Sequence, residues 1–155
     1  MDLKKLSRTE QIICGSAIVM LIASFLPWFT ASYKGFASTS VNAWSGSVGF
    51  FWGIVPTLIA LVMLAHIVIT HFVEGVKLPD WPWARIHLIG GIAAAVLVIL
   101  KLLIGIDTGG AAALGVSVSR GIGIFLAALA GLGLAYGGFM YNKEHTSATG
   151  ADPAL

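Results

Sequence analysis

Four apolar stretches, each close to the length that crosses a bilayer, leave this chain few folds to choose from. A helix needs about 20 apolar residues to span about 30 Å of hydrocarbon. Residues 12–29, 48–72, 86–106 and 118–141 meet or approach that length and are almost free of formal charge. Charged residues gather instead at the start, in the connections and in the tail. They make up 10% of the chain, against about a quarter of an ordinary soluble domain. Hydrophobic residues make up 57%, and the mean hydropathy is +0.91. The expected fold is all-α: an integral membrane four-helix bundle over residues 1–141, with the polar stretch 142–155, "NKEHTSATGADPAL", as a disordered tail. The formal charge of +2 is too small and too dispersed for nucleic-acid binding. Cys14, alone in the chain, excludes an intramolecular disulfide and reads as a small buried hydrophobe.

The ends of the runs carry their own signals. Ser7-Arg8-Thr9-Glu10 has capping-box spacing, so helix begins just before the first run. Pro27-Trp28 closes that run and places Trp28 in the interfacial aromatic belt. The run is longer than the apolar part of a secretory signal and reads as a retained helix. Lys4, Lys5, Arg8, Lys77, Arg85 and Lys143 would share one side, Lys34 and Arg120 the other. Basic connections stay inside, so both termini are expected in the cytoplasm, with two small-residue external loops. Trp81 and Trp83, in "VEGVKLPDWPWAR", suit an anchor at the entry of the third helix. Alternation in Tyr33-Lys34-Gly35-Phe36 and Val116-Ser117-Val118-Ser119 permits short external strands.

Lipid offers helices no hydrophobic drive to associate, so small residues must let backbones approach. Gly123, Ala127, Gly131 and Ala135 recur every four residues in the last run, with Gly133 and Gly137 as a second row. Gly90 with Ala94, and Gly91 with Ala95, do the same in the third. A tight contact between the third and fourth helices is expected, and the second glycine row offers a surface to another protein.

Few residues suggest chemistry. Lys101 lies 16 residues beyond Arg85, about 24 Å along a helix, which puts its ammonium within snorkelling reach of the outer boundary. Its Cα–Cβ bond tilts back toward the membrane centre, however, and it shares a stripe with Val98, Ala94 and Gly90. An inward-facing Lys101 is therefore expected, beside the alternative of simple snorkelling. Asp107 is a poor partner for it and can equally pair with Arg120 across the outer connection. His66, inside the second run, is either a proton-transfer site or a neutral group bonded to a neighbouring helix. His71 and His87 lie at the cytoplasmic boundary and can approach each other, but no carboxylate completes a metal-ligand set. Glu10 and Glu74 read as interfacial, leaving no carboxylate relay. Asp107-Thr108-Gly109 matches an aspartic-protease tripeptide but has no second copy. No P-loop, G-x-S-x-G, H-E-x-x-H or C-x-x-C occurs. The sequence thus points away from an enzyme and implies no cofactor or metal.

The pattern "SFLPWF" closing the first run, "NAWSG" and "FFWG" before and within the second, and "GIGIFLAALAGLGLAYGGF" in the last resembles small bacterial four-span membrane proteins. Leu26-Pro27-Trp28 is similar to the Pro-Trp helix end of SPW-type repeats, with Leu in the Ser position. The resemblance implies a plasma (inner) membrane location and little chemistry. The favoured expectation is a non-enzymatic accessory or structural subunit of a larger membrane assembly. Its partners would be the lipid bilayer and either a membrane protein or further copies of itself. The alternative is a small oligomeric channel or transporter using Lys101 and His66.

Overall fold

The computed structural model describes residues 2–149 of the 155-residue chain. Among them are the helices α1 (Arg8–Phe25), α2 (Phe50–Phe72), α3 (Trp83–Ile104) and α4 (Ile122–Thr149). All four are long and apolar enough to cross a membrane. Their order around the bundle is cyclic: α1 packs on α2 and α4, and α3 packs on α2 and α4, the α3–α4 contact being the most extensive.

The fold is not all-α. Strands β1 (Phe29–Tyr33), β2 (Ala37–Val41) and β3 (Val116–Arg120) form an antiparallel sheet in the order β2-β1-β3. The α1–α2 and α3–α4 connections therefore meet at one end of the bundle. β1 and β2 make a hairpin whose turn residues Lys34 and Gly35 have φ of 46° and 75°, the positive values that tight hairpin turns require. β3 comes from the other connection, 75 residues after β2 in the chain counting from Val41 to Val116, so pattern within either loop alone could not reveal the pairing.

Helix ends differ from the expected ones for identifiable reasons. α1 starts at Arg8 because the Ser7 Oγ accepts from the Glu10 N–H while the Glu10 carboxylate accepts from the Ser7 N–H, a complete capping box. It stops at Phe25, ahead of Pro27, because the Trp28 N–H donates to the Val41 carbonyl at 2.8 Å and leads the chain into β1. Trp28 is no interfacial belt residue. It is fully buried, its indole N–H donating to the Ala23 carbonyl at 2.9 Å. Trp44 and Trp81, both exposed, are better placed for lipid headgroups. α4 continues to Thr149 through residues expected in the tail. Thr9 Oγ1 donates to Glu144 Oε1 at 2.6 Å, and His145 stacks on Tyr141, so these residues have partners that composition does not reveal. Residues 150–155 of that tail lie outside the described residues.

The Thr9–Glu144 bond brings the start of α1 to the end of α4, which we call the terminal end; the sheet covers the opposite end. Lys4, Lys5, Arg8, Lys77, Arg85 and Lys143 belong to segments at the terminal end, Lys34 and Arg120 to segments at the sheet end.

Glycine sets the helix spacing. A Cβ at Gly91 would collide with the Leu134 carbonyl oxygen and lie 3.0 Å from the Ala135 Cα, and one at Gly138 would collide with the His87 carbonyl oxygen. One at Gly131 would lie 2.9 Å from the Ala95 Cα. The expected α3–α4 contact thus runs through Gly91, Ala95, Gly131 and Ala135, with Ala94 and Ala127 fully buried beside it. Gly90 turns instead toward Ile59 and Met63 of α2, and Gly123 toward Leu26, Pro27 and Trp28. The second row is not open to a partner: Gly133 faces Ser16 and Gly137 faces Ile13, both on α1. A helix whose backbone is approached closely from two sides needs glycine on two faces.

Candidate functional site

All four histidines of the chain lie at the terminal end. α2 and α3 are antiparallel neighbours, so residues at similar distances from their connection are level. His66, six residues before the end of α2, thereby meets His87, four residues after the start of α3. His66 Nδ1 and His87 Nε2 are 2.8 Å apart, and both rings are buried. Trp83, one turn before His87, stacks on His66 at 4.1 Å between ring centroids and 15° between planes. Tyr141 of α4 closes the group, 4.7 Å from the His87 ring and 4.0 Å from that of His145. Beside it, His71 Nε2 and Glu10 Oε1 are 2.8 Å apart, with Glu10 Oε2 accepting from the Ser7 N–H.

The surroundings of His87 choose the tautomers. Its Nδ1 is buried and has no hydrogen-bond partner among the described residues. A proton on that atom would leave an unsatisfied buried donor, at a cost of about 1–3 kcal/mol. A bare lone pair there is the cheaper state. His87 therefore carries its proton on Nε2 and donates to His66 Nδ1, and His66 carries its own proton on Nε2. That remaining N–H belongs to a ring lining a cleft of about 620 Å³ between the start of α3 and the end of α4. Arg85, Tyr141, Asn142 and His145 line the same cleft.

Lys101 lies at the other end. It is 14 residues beyond His87 on α3, about 21 Å along the axis. Its side chain turns inward, as the helix stripe predicts, and is 8% exposed. The ammonium nitrogen sits 5.9 Å from the centre of the Phe29 ring and 6.0 Å from that of Trp52. No carboxylate pairs with it among the described residues. Asp107 does not pair with Arg120 either: its Oδ1 accepts from the Gly109 N–H at 2.8 Å. Arg120 instead caps α3, Nε donating to the Leu102 carbonyl at 2.6 Å and Nη2 to that of Leu103 at 3.1 Å. These are among the last four carbonyls of the helix, which lack partners within it.

The two candidate polar residues, His66 and Lys101, thus belong to separate places. His87, expected near His71, is bonded to His66, while His71 takes Glu10. Glu10 is buried and bonded to a second helix. The capping box alone accounts for its presence in sequence, which hides its second role. The sequence signal for that role is the histidine in the last turn of α2. No three His, Cys, Asp or Glu side chains converge as metal ligands would among the described residues.

Comparison with protein-family models, with curated proteins and with solved structures gives no significant match to this chain.

Proposed function

We propose that this chain is a non-enzymatic accessory or structural subunit of a larger membrane assembly. We place it in the plasma (inner) membrane of a bacterium, both chain ends in the cytoplasm. The observation that carries the reading is the closure of the bundle between its two polar ends. Met63, Ala94, Val98, Ala127 and Leu134 are buried between the histidines and Lys101, and the glycine contacts bring α3 and α4 together backbone to backbone. This apolar packing between His66 and Lys101 supports a structural role over a path through one copy that uses both residues. The outward faces are apolar, with Ile89, Leu103, Leu129 and Phe139 exposed, which suits lipid or a partner helix. The orientation rests on the six basic residues grouped at the terminal end against Lys34 and Arg120 in the connections of the sheet end, with Lys101 inside the last turn of α3.

Purification of tagged protein in a gentle detergent, followed by mass spectrometry, tests the reading. Foreign membrane subunits in fixed stoichiometry are the expected result. A pure homo-oligomer that conducts ions or solutes in liposomes would overturn it in favour of a channel or transporter.

A further inference from the structure

We infer that the cleft between the start of α3 and the end of α4 binds the phosphate of an anionic phospholipid headgroup. The cleft measures about 620 Å³, and no Asp or Glu is among the described residues that line it. Its polar lining residues can all donate hydrogen bonds. Arg85 contributes a guanidinium that makes no ion pair or hydrogen bond among the described residues. His66, which lines the cleft, keeps an Nε2–H left over from its bond to His87, and Tyr141 and Asn142 in the same lining carry a hydroxyl and an amide that can donate. Two of the nearby carboxylates are engaged elsewhere. Glu144 is held by Thr9 and Glu10 by His71 and Ser7, while Asp80 lines an adjoining, smaller hollow of about 330 Å³ that shares His66, Trp81 and Trp83 with the cleft. A pocket whose described lining offers a planar cation and neutral donors but no carboxylate matches the oxygens of a phosphate.

The position selects a lipid as the source of that phosphate. Arg85 lies in the first turn of α3, where the helix enters the hydrocarbon, next to the exposed Trp81 at headgroup level. Below it on the same helical face come Ile89, Ile92 and Val96, all exposed. That stripe gives an acyl chain an apolar track directly beneath the headgroup. The site stands whether or not the bundle belongs to a larger assembly.

The test uses the full chain in detergent micelles, with lipid binding read by native mass spectrometry and by thermal stability. Dioleoyl phosphatidylglycerol should be retained by the wild type and raise its Tm, and dioleoyl phosphatidylcholine should do so far less. Arg85→Gln should weaken retention of phosphatidylglycerol by about tenfold or more, since it removes a charged hydrogen-bond donor. Arg85→Lys should restore part of it. Arg85 is exposed, so the lipid-free Tm of Arg85→Gln should match the wild type. Should that variant prove unstable, Trp81→Ala gives the same comparison from the headgroup side. Equal retention of phosphatidylglycerol by the wild type and by the variant overturns the proposal. So does binding of inorganic phosphate alone with no preference for the lipid, which would mark a soluble-anion site.

Discussion

Gly131 of α4 lies so close to α3 that a methyl group in its place would sit 2.9 Å from the Ala95 Cα. The neighbour is backbone and cannot swing aside. Gly131→Leu is therefore expected to force the helices apart and destabilise the bundle by about 1–3 kcal/mol or more. Leu126→Ile conserves volume at a half-buried position of the same helix and should cost less than about 1.5 kcal/mol. Reversible unfolding in detergent checks both. Equal stability of the two variants would mean that the α3–α4 contact does not hold the fold together.

The histidine pair makes a spectroscopic prediction. With His87 Nδ1 buried and unpartnered, both rings should be neutral and protonated at Nε2. Nitrogen-15 NMR of histidine-labelled protein in micelles distinguishes the two tautomers directly. A proton found on His87 Nδ1 would reverse the donor assignment and remove the free Nε2–H of His66 from the cleft. Replacement of the two rings singly and together should also show a coupling energy within the range of about 0.5–3 kcal/mol found for contacting residues.

Helix number and the small-residue spacing were readable from the chain because both are local properties, set by run length and by residues three or four apart. Which glycine meets which helix was not. Gly133 and Gly137 look like spare packing surface until α1 is placed against them. The sheet escaped for a similar reason: Tyr33 pairs with Ala37 and with Val116, and only the second pairing joins the α1–α2 and α3–α4 connections. At the site, His66 stood out as a polar residue inside an apolar run. Its partner His87 emerged only from the antiparallel arrangement of α2 and α3, which sets residues level that lie 21 positions apart. Arg120 read as a partner for a carboxylate, whereas the nearest unsatisfied groups were carbonyls at the end of α3. Backbone acceptors are invisible in a sequence until a helix end has been placed.

Orientation is tested by accessibility. With Cys14 replaced by Ser, a cysteine introduced at Ser38 in β2 should react with a membrane-impermeant maleimide in intact cells. One introduced at Ser147 in α4 should react only after the cells are opened. Both positions are exposed in the fold, so failure to label reports the membrane barrier and not burial. The opposite pattern would place the terminal end, with its six basic residues, outside the cell.

Lys101 has two ring faces within reach of its ammonium and no counter-ion among the described residues. Replacing it with Met keeps most of the apolar stem and removes a charge held inside the bundle. The charge costs up to about 3 kcal/mol at a membrane centre and less toward its boundaries. The contacts to Phe29 and Trp52 return about 0.5–2 kcal/mol. These terms nearly cancel, so Lys101→Met should leave stability within about 1 kcal/mol of the wild type. Lys101→Glu should be far worse, because a carboxylate would face the electron-rich surfaces of both rings. Thermal unfolding of the isolated protein measures these differences, and co-purification of any partner subunits adds a second reading. If Lys101→Met leaves the isolated bundle intact but abolishes the larger complex, the missing counter-ion belongs to another subunit. If it unfolds the bundle itself, the ring contacts contribute more than their distances allow and Lys101 must have a polar partner within the chain.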